Sequence, residues 1–487
     1  MRHNKILSAA LAVGMIFAVA ACDGGVSGSG NESNGNSNKG SENGMTKIIL
    51  PDYDLKKDEY ELKIGGWLIP TGLNAENVKW IKEAGINVMH AVAAGDNATI
   101  FFNDYDDKAK ETLDMLGDNG IGVYVNTMSR EGSSFNKIAK FKENKAVLGM
   151  SLDEPNKAEI NSMAAAVDYY NKNGGNTNFY SNLFPSFSQV VQKEFDGVYS
   201  DYLKYYCDNV LSKLTVGEKW LSADRYPLTY NDNGEKILDD NWLFNIQTLK
   251  KVADGYEGVK TNFFIQTMPY GIDEDGNPTA GQYGSRDRVP TYEDVRMQEY
   301  ALMAFGYDGI SLFCYGTPTV GGEFAASQVA MIDREGKKTE IYESVKKANL
   351  ELLAFDHVLL QFDYIGTFTN DAGQTTTGKS RTSNTSFQML TRLSLDSVPS
   401  LKEVTTSQDT LFGYFNDEDG NDGIMAVNYN ETTKELTDKI TLTFDALKYN
   451  KAVVYVGGEK TVVTLDNGKL EHTLGIGEGI FVIPYAD

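Results

Sequence analysis

The stretch Ala146-Val147-Leu148-Gly149-Met150-Ser151-Leu152-Asp153-Glu154-Pro155-Asn156 is the point from which the rest of the chain is read. Its apolar run is short and has no helical spacing, the mark of a buried strand. Pro155 has no N–H to give a ladder and ends it. Two carboxylates therefore stand where a buried strand stops, and ionised groups are costly to take out of water. A tandem acidic pair in that place points to a site. The competing reading is a capping turn, because Asn156, Lys157 and Glu159 lead into a helical run over Ala158–Asn171.

Working outward, strand and helix patterns alternate on both sides of that stretch. Strands are expected at Leu62–Trp67, Ile86–Val92, Ile121–Asn126, Ala146–Leu152, Asn178–Leu183, Trp220–Asp224, Asn262–Gln266 and Tyr307–Phe313. Helices are expected at Ala75–Ala84, Ala109–Leu116, Lys137–Glu143, Ala158–Asn171, Tyr292–Ala304 and Lys338–Phe355. Buried strands alternating with amphipathic helices signal parallel β/α architecture, and eight units fit a (β/α)8 TIM barrel. No Gly-rich phosphate loop follows the first strand, which argues against a dinucleotide-binding sheet. Beyond Phe355 the texture changes to short strands, among them Phe362–Phe368, Phe387–Leu393, Leu411–Phe415, Gly423–Asn428, Lys439–Phe444, Lys451–Val456, Lys460–Leu465 and Gly479–Pro484. Asn416–Gly420 and Asp466-Asn467-Gly468 read as hairpin turns. A C-terminal antiparallel β-sandwich is expected over 361–487, after a barrel over 46–360.

The N-terminus has its own logic. Arg2 and Lys5 precede the apolar Ile6–Ala18 and the small residues before Cys22, a secretory-signal pattern too short to span a membrane comfortably. Residues 23–45 are mostly Gly, Ser, Asn and acidic residues, a composition that makes a flexible tether. A net charge of −23 argues against nucleic acid as a partner and suits a chain that handles uncharged ligands. Of three cysteines, Cys207 and Cys314 remain after Cys22, with no disulfide framework and no metal-ligand spacing. No cofactor or metal is expected.

In a barrel of this kind the site lies at the carboxyl ends of the strands. Taking each strand's last residues gives Trp67, His90, Asn126, Asp153, Glu154, Asn182, Asp224 with Tyr226, Gln266 with Tyr270, and Tyr315. Carboxylates, amides and aromatic rings are what a sugar site uses: polar forks for hydroxyls and planes for pyranose faces. Glu154 and Asp224 form the sharper pair, a general acid and a second carboxylate. Two strand spacings separate them, which favours the wider inverting separation of ~6.5–9.5 Å over the retaining ~5–5.5 Å. Arg225 and Tyr226 stand beside Asp224 and would help keep it ionised.

Ser151-Leu152-Asp153-Glu154-Pro155 resembles the fourth-strand signature of (β/α)8 glycoside hydrolases, in particular the Asn-Glu-Pro-like sequences of family 42 β-galactosidases. That resemblance implies Glu154 as acid/base. The chain departs from it in carrying Asp153 for Asn and Gln266 where those enzymes keep a nucleophilic Glu. The Asp153-Glu154 pair is also similar to that of substrate-assisted β-N-acetylhexosaminidases, which implies that Asp153 orients a 2-acetamido group and Glu154 is the acid. The residues before Cys22 resemble a bacterial lipobox, implying lipidation of Cys22 and a protein held at the cell surface by a lipid anchor. The expected partner is a carbohydrate, cleaved by a hydrolase or bound by a catalytically silent barrel.

Overall fold

The computed structural model describes residues 46–70, 73–91, 105–126, 131–231, 233–269, 271, 288–321 and 324–487. Eight strands close a barrel: β1 (Lys63–Trp67), β2 (Val88–Ala91), β3 (Gly122–Val125), β4 (Val147–Asp153), β5 (Asn178–Leu183), β6 (Lys219–Asp224), β7 (Val259–Gln266) and β8 (Gly309–Phe313). All neighbouring pairs are parallel, and β1 bonds both β2 and β8, so the sheet has no edge. Each expected barrel strand is present. Outside them lie the helices, whose starts are set by side chains that satisfy free N–H groups. Asn74 caps Ala75–Glu83, and Thr291 with Asp294 forms a capping box on Tyr292–Ala304.

The lumen of this barrel is unusually polar. Apolar branched side chains usually fill such an interior, yet here β5 sends in Asn178, Tyr180 and Asn182, β6 Ser222, β7 Asn262 and β8 Ser311. Hydrogen bonds join them across the lumen, for example from Asn178 to Tyr124 and between His90 and Ser311. All are buried. Apolar packing is concentrated outside the strands, where Met150, Leu152, Phe179 and Leu221 meet the helices.

The C-terminal region is a sandwich of two antiparallel sheets. The larger runs Asp363–Asn370, Thr410–Asn416, Asp422–Asn428, Gly479–Tyr485, Lys451–Val456, Glu459–Thr464. The smaller runs Thr375–Thr376, Leu401–Thr406, Asp438–Phe444, Lys469–Leu474. Alternation splits the larger sheet into two buried faces. Phe412, Ile424, Ile480 and Val482 meet the smaller sheet. Leu411, Phe415, Met425 and Phe481 join the barrel's own core. Gly413 allows this closeness, since a Cβ there would stand 2.2 Å from the Ala304 carbonyl oxygen. Buried Arg288 adds a polar tie between helix and sandwich, with Glu431 at 2.7 Å, Thr432 at 2.7 Å, and Asp294.

The sandwich departs from the expectation in two places. Phe387–Leu393 is not a strand; Asn384 caps a short helix at Thr385–Gln388, accepting the Phe387 N–H, and the chain turns. Asp466-Asn467-Gly468 is a tight turn with φ of 51° and 81° at its last two residues. Asp466 and Lys469 exchange both backbone hydrogen bonds, at 3.2 and 2.9 Å, so it is the expected hairpin turn, and the strands on either side of it continue into different sheets. Strands Leu401–Thr406 and Lys469–Leu474 were not expected, because their exposed charged residues interrupt any apolar run.

Candidate active site

The competing reading of the β4 terminus resolves first. Capping of helix Lys157–Asn173 is done by Asn156 and Glu159, which bond each other's backbone N–H at 3.0 and 2.8 Å. Asp153 and Glu154 are left over from that task. Period-two alternation along β4 turns Ser151 and Asp153 into the lumen while Met150 and Leu152 pack outward. Glu154 then breaks the alternation: its φ is 47°, in the left-handed region. For a residue with a Cβ this costs about 1–2 kcal/mol, and such strain gathers at functional positions. Its N–H is pinned to the Asn182 carbonyl at 2.7 Å.

Asn182 is the centre of the arrangement. Its side-chain nitrogen lies 3.4 Å from Asp153 Oδ1 and 3.1 Å from Asp224 Oδ1. With amide protons about 120° apart, those two oxygens stand roughly 5.6 Å from each other. The pair that converges is thus Asp153 with Asp224, on strands two apart, joined by an amide from the strand between. Arg225 plays a different part from the one expected. Its guanidinium turns to Asp239, donating from Nε at 2.7 Å and from Nη2 at 3.0 Å, and lies over the Phe187 ring.

An aromatic wall flanks the carboxylates. Trp67 meets Phe264 edge to face with centroids 5.2 Å apart, and Tyr226 lies 5.0 Å from Phe313, which in turn faces Phe324. These rings form their own cluster with Leu68, Met268 and Cys314 at the carboxyl end of the barrel. The rings are largely buried against one another, with Trp67 9%, Tyr226 6% and Phe264 1% exposed.

Other candidates stand apart from the carboxylates. His90 lies below Trp67, 1% exposed, stacked on Tyr124 and bonded to Ser311 Oγ at 3.2 Å. Burial pushes its imidazole down to about 3, so it is neutral. Gln266 is fully buried, its side chain accepting the Leu228 N–H at 3.2 Å; its own backbone is paired with the Gln298 amide. Tyr315 points outward, its phenol 3.5 Å from the Asn77 carbonyl in the first helix, within the outer core. Asn126 is buried at the end of β3. Tyr270 and Cys22 lie outside the described residues. The sequence reading passed over Phe264, Phe313 and Phe324. It also missed the lumen residues Tyr180, Ser222, Asn262 and Ser311, though their period-two spacing along apolar strands was a usable signal.

Among the described residues no group of three His, Cys, Asp or Glu is placed to hold a metal, and no helix is long and apolar enough to cross a membrane. No family model matches the sequence, and no curated protein sequence matches it. Among solved structures the chain is similar to a β-galactosidase from Marinomonas ef1, at 11% identity and TM-score 0.40, covering 63% of this chain and 62% of that one. It is similar to a GH30 endoxylanase from Clostridium papyrosolvens C71, at 8% identity and TM-score 0.42 over 91% of this chain and 98% of that one. It is also similar to an α-amylase from Geobacillus thermoleovorans, at 12% identity and TM-score 0.43 over 88% and 98%. These overlaps are loose, and the chemistry of the site rests on its own residues.

Proposed function

We propose that the chain is a glycoside hydrolase acting on oligo- or polysaccharides, with its centre at Asp153, Glu154 and Asp224. The observation that carries this reading is the Asp153–Asn182–Asp224 bridge at the carboxyl end of the barrel, beside the aromatic wall. The Asn182 amide nitrogen faces an oxygen of each carboxylate, an arrangement that suits two ionised groups. Two anionic groups aimed at one point suit a transition state with oxocarbenium character. Neither can then donate the proton that the leaving oxygen needs, and Glu154, held in a strained backbone next to them, takes the role of general acid. Asp224 faces the anomeric carbon or its water. In a substrate carrying a 2-acetamido group, Asp153 would instead orient that group, and Asp224 would be dispensable.

A panel of aryl glycosides, with and without the 2-acetamido group, tests the reading. Glu154→Gln should lose about 10²–10⁴-fold in kcat on substrates with poor leaving groups. It should lose far less on dinitrophenyl glycosides, which need no acid. Equal hydrolysis by parent and variant on every substrate refutes the acid assignment. Calorimetric binding of sugars without turnover by the parent would leave a carbohydrate-binding barrel. Anchoring is a separate part of the proposal: lipidated Cys22 holds the folded region at the cell surface through the Asn/Gly/Ser-rich tether.

A further inference from the structure

A continuous set of hydrogen bonds descends from the carboxylates through the lumen. Asn182 donates to Asp153 and Asp224 and accepts from Ser222 Oγ at 3.1 Å. Ser222 in turn receives Tyr180 Oη at 2.7 Å and Asn262 Nδ2 at 2.9 Å, and the same Asn262 nitrogen reaches Tyr180 Oη at 3.2 Å. Asn262 Oδ1 lies 3.2 Å from Ser311 Oγ, and Ser311 Oγ lies 3.2 Å from His90 Nε2. Six of these residues come from five different strands, and each of Asn182, Ser222, Tyr180, Asn262, Ser311 and His90 is at most 5% exposed.

Counting protons fixes the direction of every link. Carboxylates only accept when ionised, so with Asp153 and Asp224 both ionised Asn182 presents its NH2 to them and its oxygen to Ser222. Ser222 has one proton and gives it to that oxygen, so it accepts from Tyr180 and Asn262. Tyr180 has spent its proton on Ser222, and Asn262 has spent both of its own on Ser222 and Tyr180. Asn262 Oδ1 therefore takes the proton of Ser311. Ser311 is left with lone pairs only, and its remaining partner, His90 Nε2, must carry the hydrogen. His90 Nδ1 is then a bare acceptor, and it is a buried ring nitrogen with no hydrogen-bond partner among the described residues. His90 also lines a cavity of about 40 Å³ in the lower barrel, enough for a water at ~10–15 Å³ of centre volume each.

We propose that His90, Ser311, Asn262, Tyr180 and Ser222 are positioning residues: a one-way chain of donors, begun by the Nε2–H tautomer of His90, that locks the Asn182 amide with both protons toward Asp153 and Asp224. Glycine at position 65 belongs to the same device. A Cβ there would stand 2.5 Å from Ser311 Oγ and 2.9 Å from His90 Nε2, inside the bond that starts the chain. Polarisation along an aligned chain strengthens each link, and the last link falls on the carboxylates. The catalytic consequence rests on the hydrolase reading; the tautomer does not.

The test is the imidazole nitrogen spectrum of the full-length protein labelled at histidine, of which the chain has four, with His90→Gln to assign the signal. His90 should be neutral at pH 7, with the Nε2–H form exceeding Nδ1–H by about tenfold or more, the weight of one unmade buried hydrogen bond. Asp153→Asn/Asp224→Asn supplies ends that both donate and accept, so the direction is no longer imposed. The ratio should then fall to within about threefold of even, although His90 contacts neither position. Ser222→Ala cuts the chain in the middle, should do the same, and serves if the double variant does not fold. A parent spectrum dominated by Nδ1–H, or a ratio unchanged in both variants, overturns the proposal. In the hydrolase assay Ser222→Ala should lower kcat about tenfold with KM unchanged. A tautomer that responds without any hydrolytic activity in the parent would overturn the enzyme reading alone.

Discussion

Glu299 offers the sharpest thermodynamic test, because it is fully buried in helix Tyr292–Ala304 and neither carboxyl oxygen has a hydrogen-bond partner among the described residues. Burial, and next the charge of Glu351, push its carboxyl well above the usual range. Replacing it by Met keeps the length and removes both orphaned oxygens. Each buried unsatisfied polar group costs about 1–3 kcal/mol, so Glu299→Met should stabilise by that order even where the acid is protonated. The pH dependence adds to this. The raised value means that the folded state holds a proton which the unfolded chain releases above the ordinary glutamate range. The parent therefore loses stability as pH rises from about 4.5, by up to about 1.4 kcal/mol per unit, until the folded group itself ionises. The variant lacks that slope. Urea unfolding of both proteins at pH 4.5 and 7.5, followed by tryptophan fluorescence, should show the variant ahead at both and by more at pH 7.5. A variant less stable than the parent at pH 7.5, or a gap that does not widen with pH, would refute the reasoning.

Other outcomes follow from particular contacts. Asp224→Gly should lower turnover by at least about 10²-fold and regain activity with azide; a substrate-assisted reaction through Asp153 would leave turnover nearly intact. Gly413→Val forces a side chain against the Ala304 carbonyl and should lower stability by about 1–3 kcal/mol, read as a drop in melting temperature. Cys22→Ser should move the protein from the detergent-extracted fraction to the soluble one, and a variant that stays with the membrane removes the lipid anchor.

The barrel was legible because its strands are runs of residues such as Ala146–Leu152, Asn178–Leu183 and Trp220–Asp224 whose outer faces must meet helices. The helix starts were legible for the same kind of reason, as with Asn156 and Glu159. What escaped notice was polar where apolar residues were expected. Asn178, Ser222, Asn262 and Ser311 break up the lumen side of their strands, and only the closed sheet brings their partners across from non-neighbouring strands. Leu401–Thr406 escaped because Lys402 and Glu403 interrupt its buried positions. Among site candidates, strand ends brought Asp153, Asn182 and Asp224 together and put Trp67 in the ring cluster. They misled for Tyr315, which lies two residues past the end of β8, where strand alternation no longer sets the face, and no spacing announces that Arg225 forks to Asp239.

The inner strands of the six-stranded sheet, buried on both faces, have a consequence for how heat and ligands are felt by this molecule. Cutting the chain after the barrel would bare Tyr300 and Phe355 on one side and Leu411, Met425 and Phe481 on the other. Neither piece would be left with a finished surface, and both would tend to associate. The barrel and the sandwich should instead melt in one transition, so that a sugar bound between Trp67 and Asp224 would protect amides in strands such as Asp422–Asn428 that it never touches.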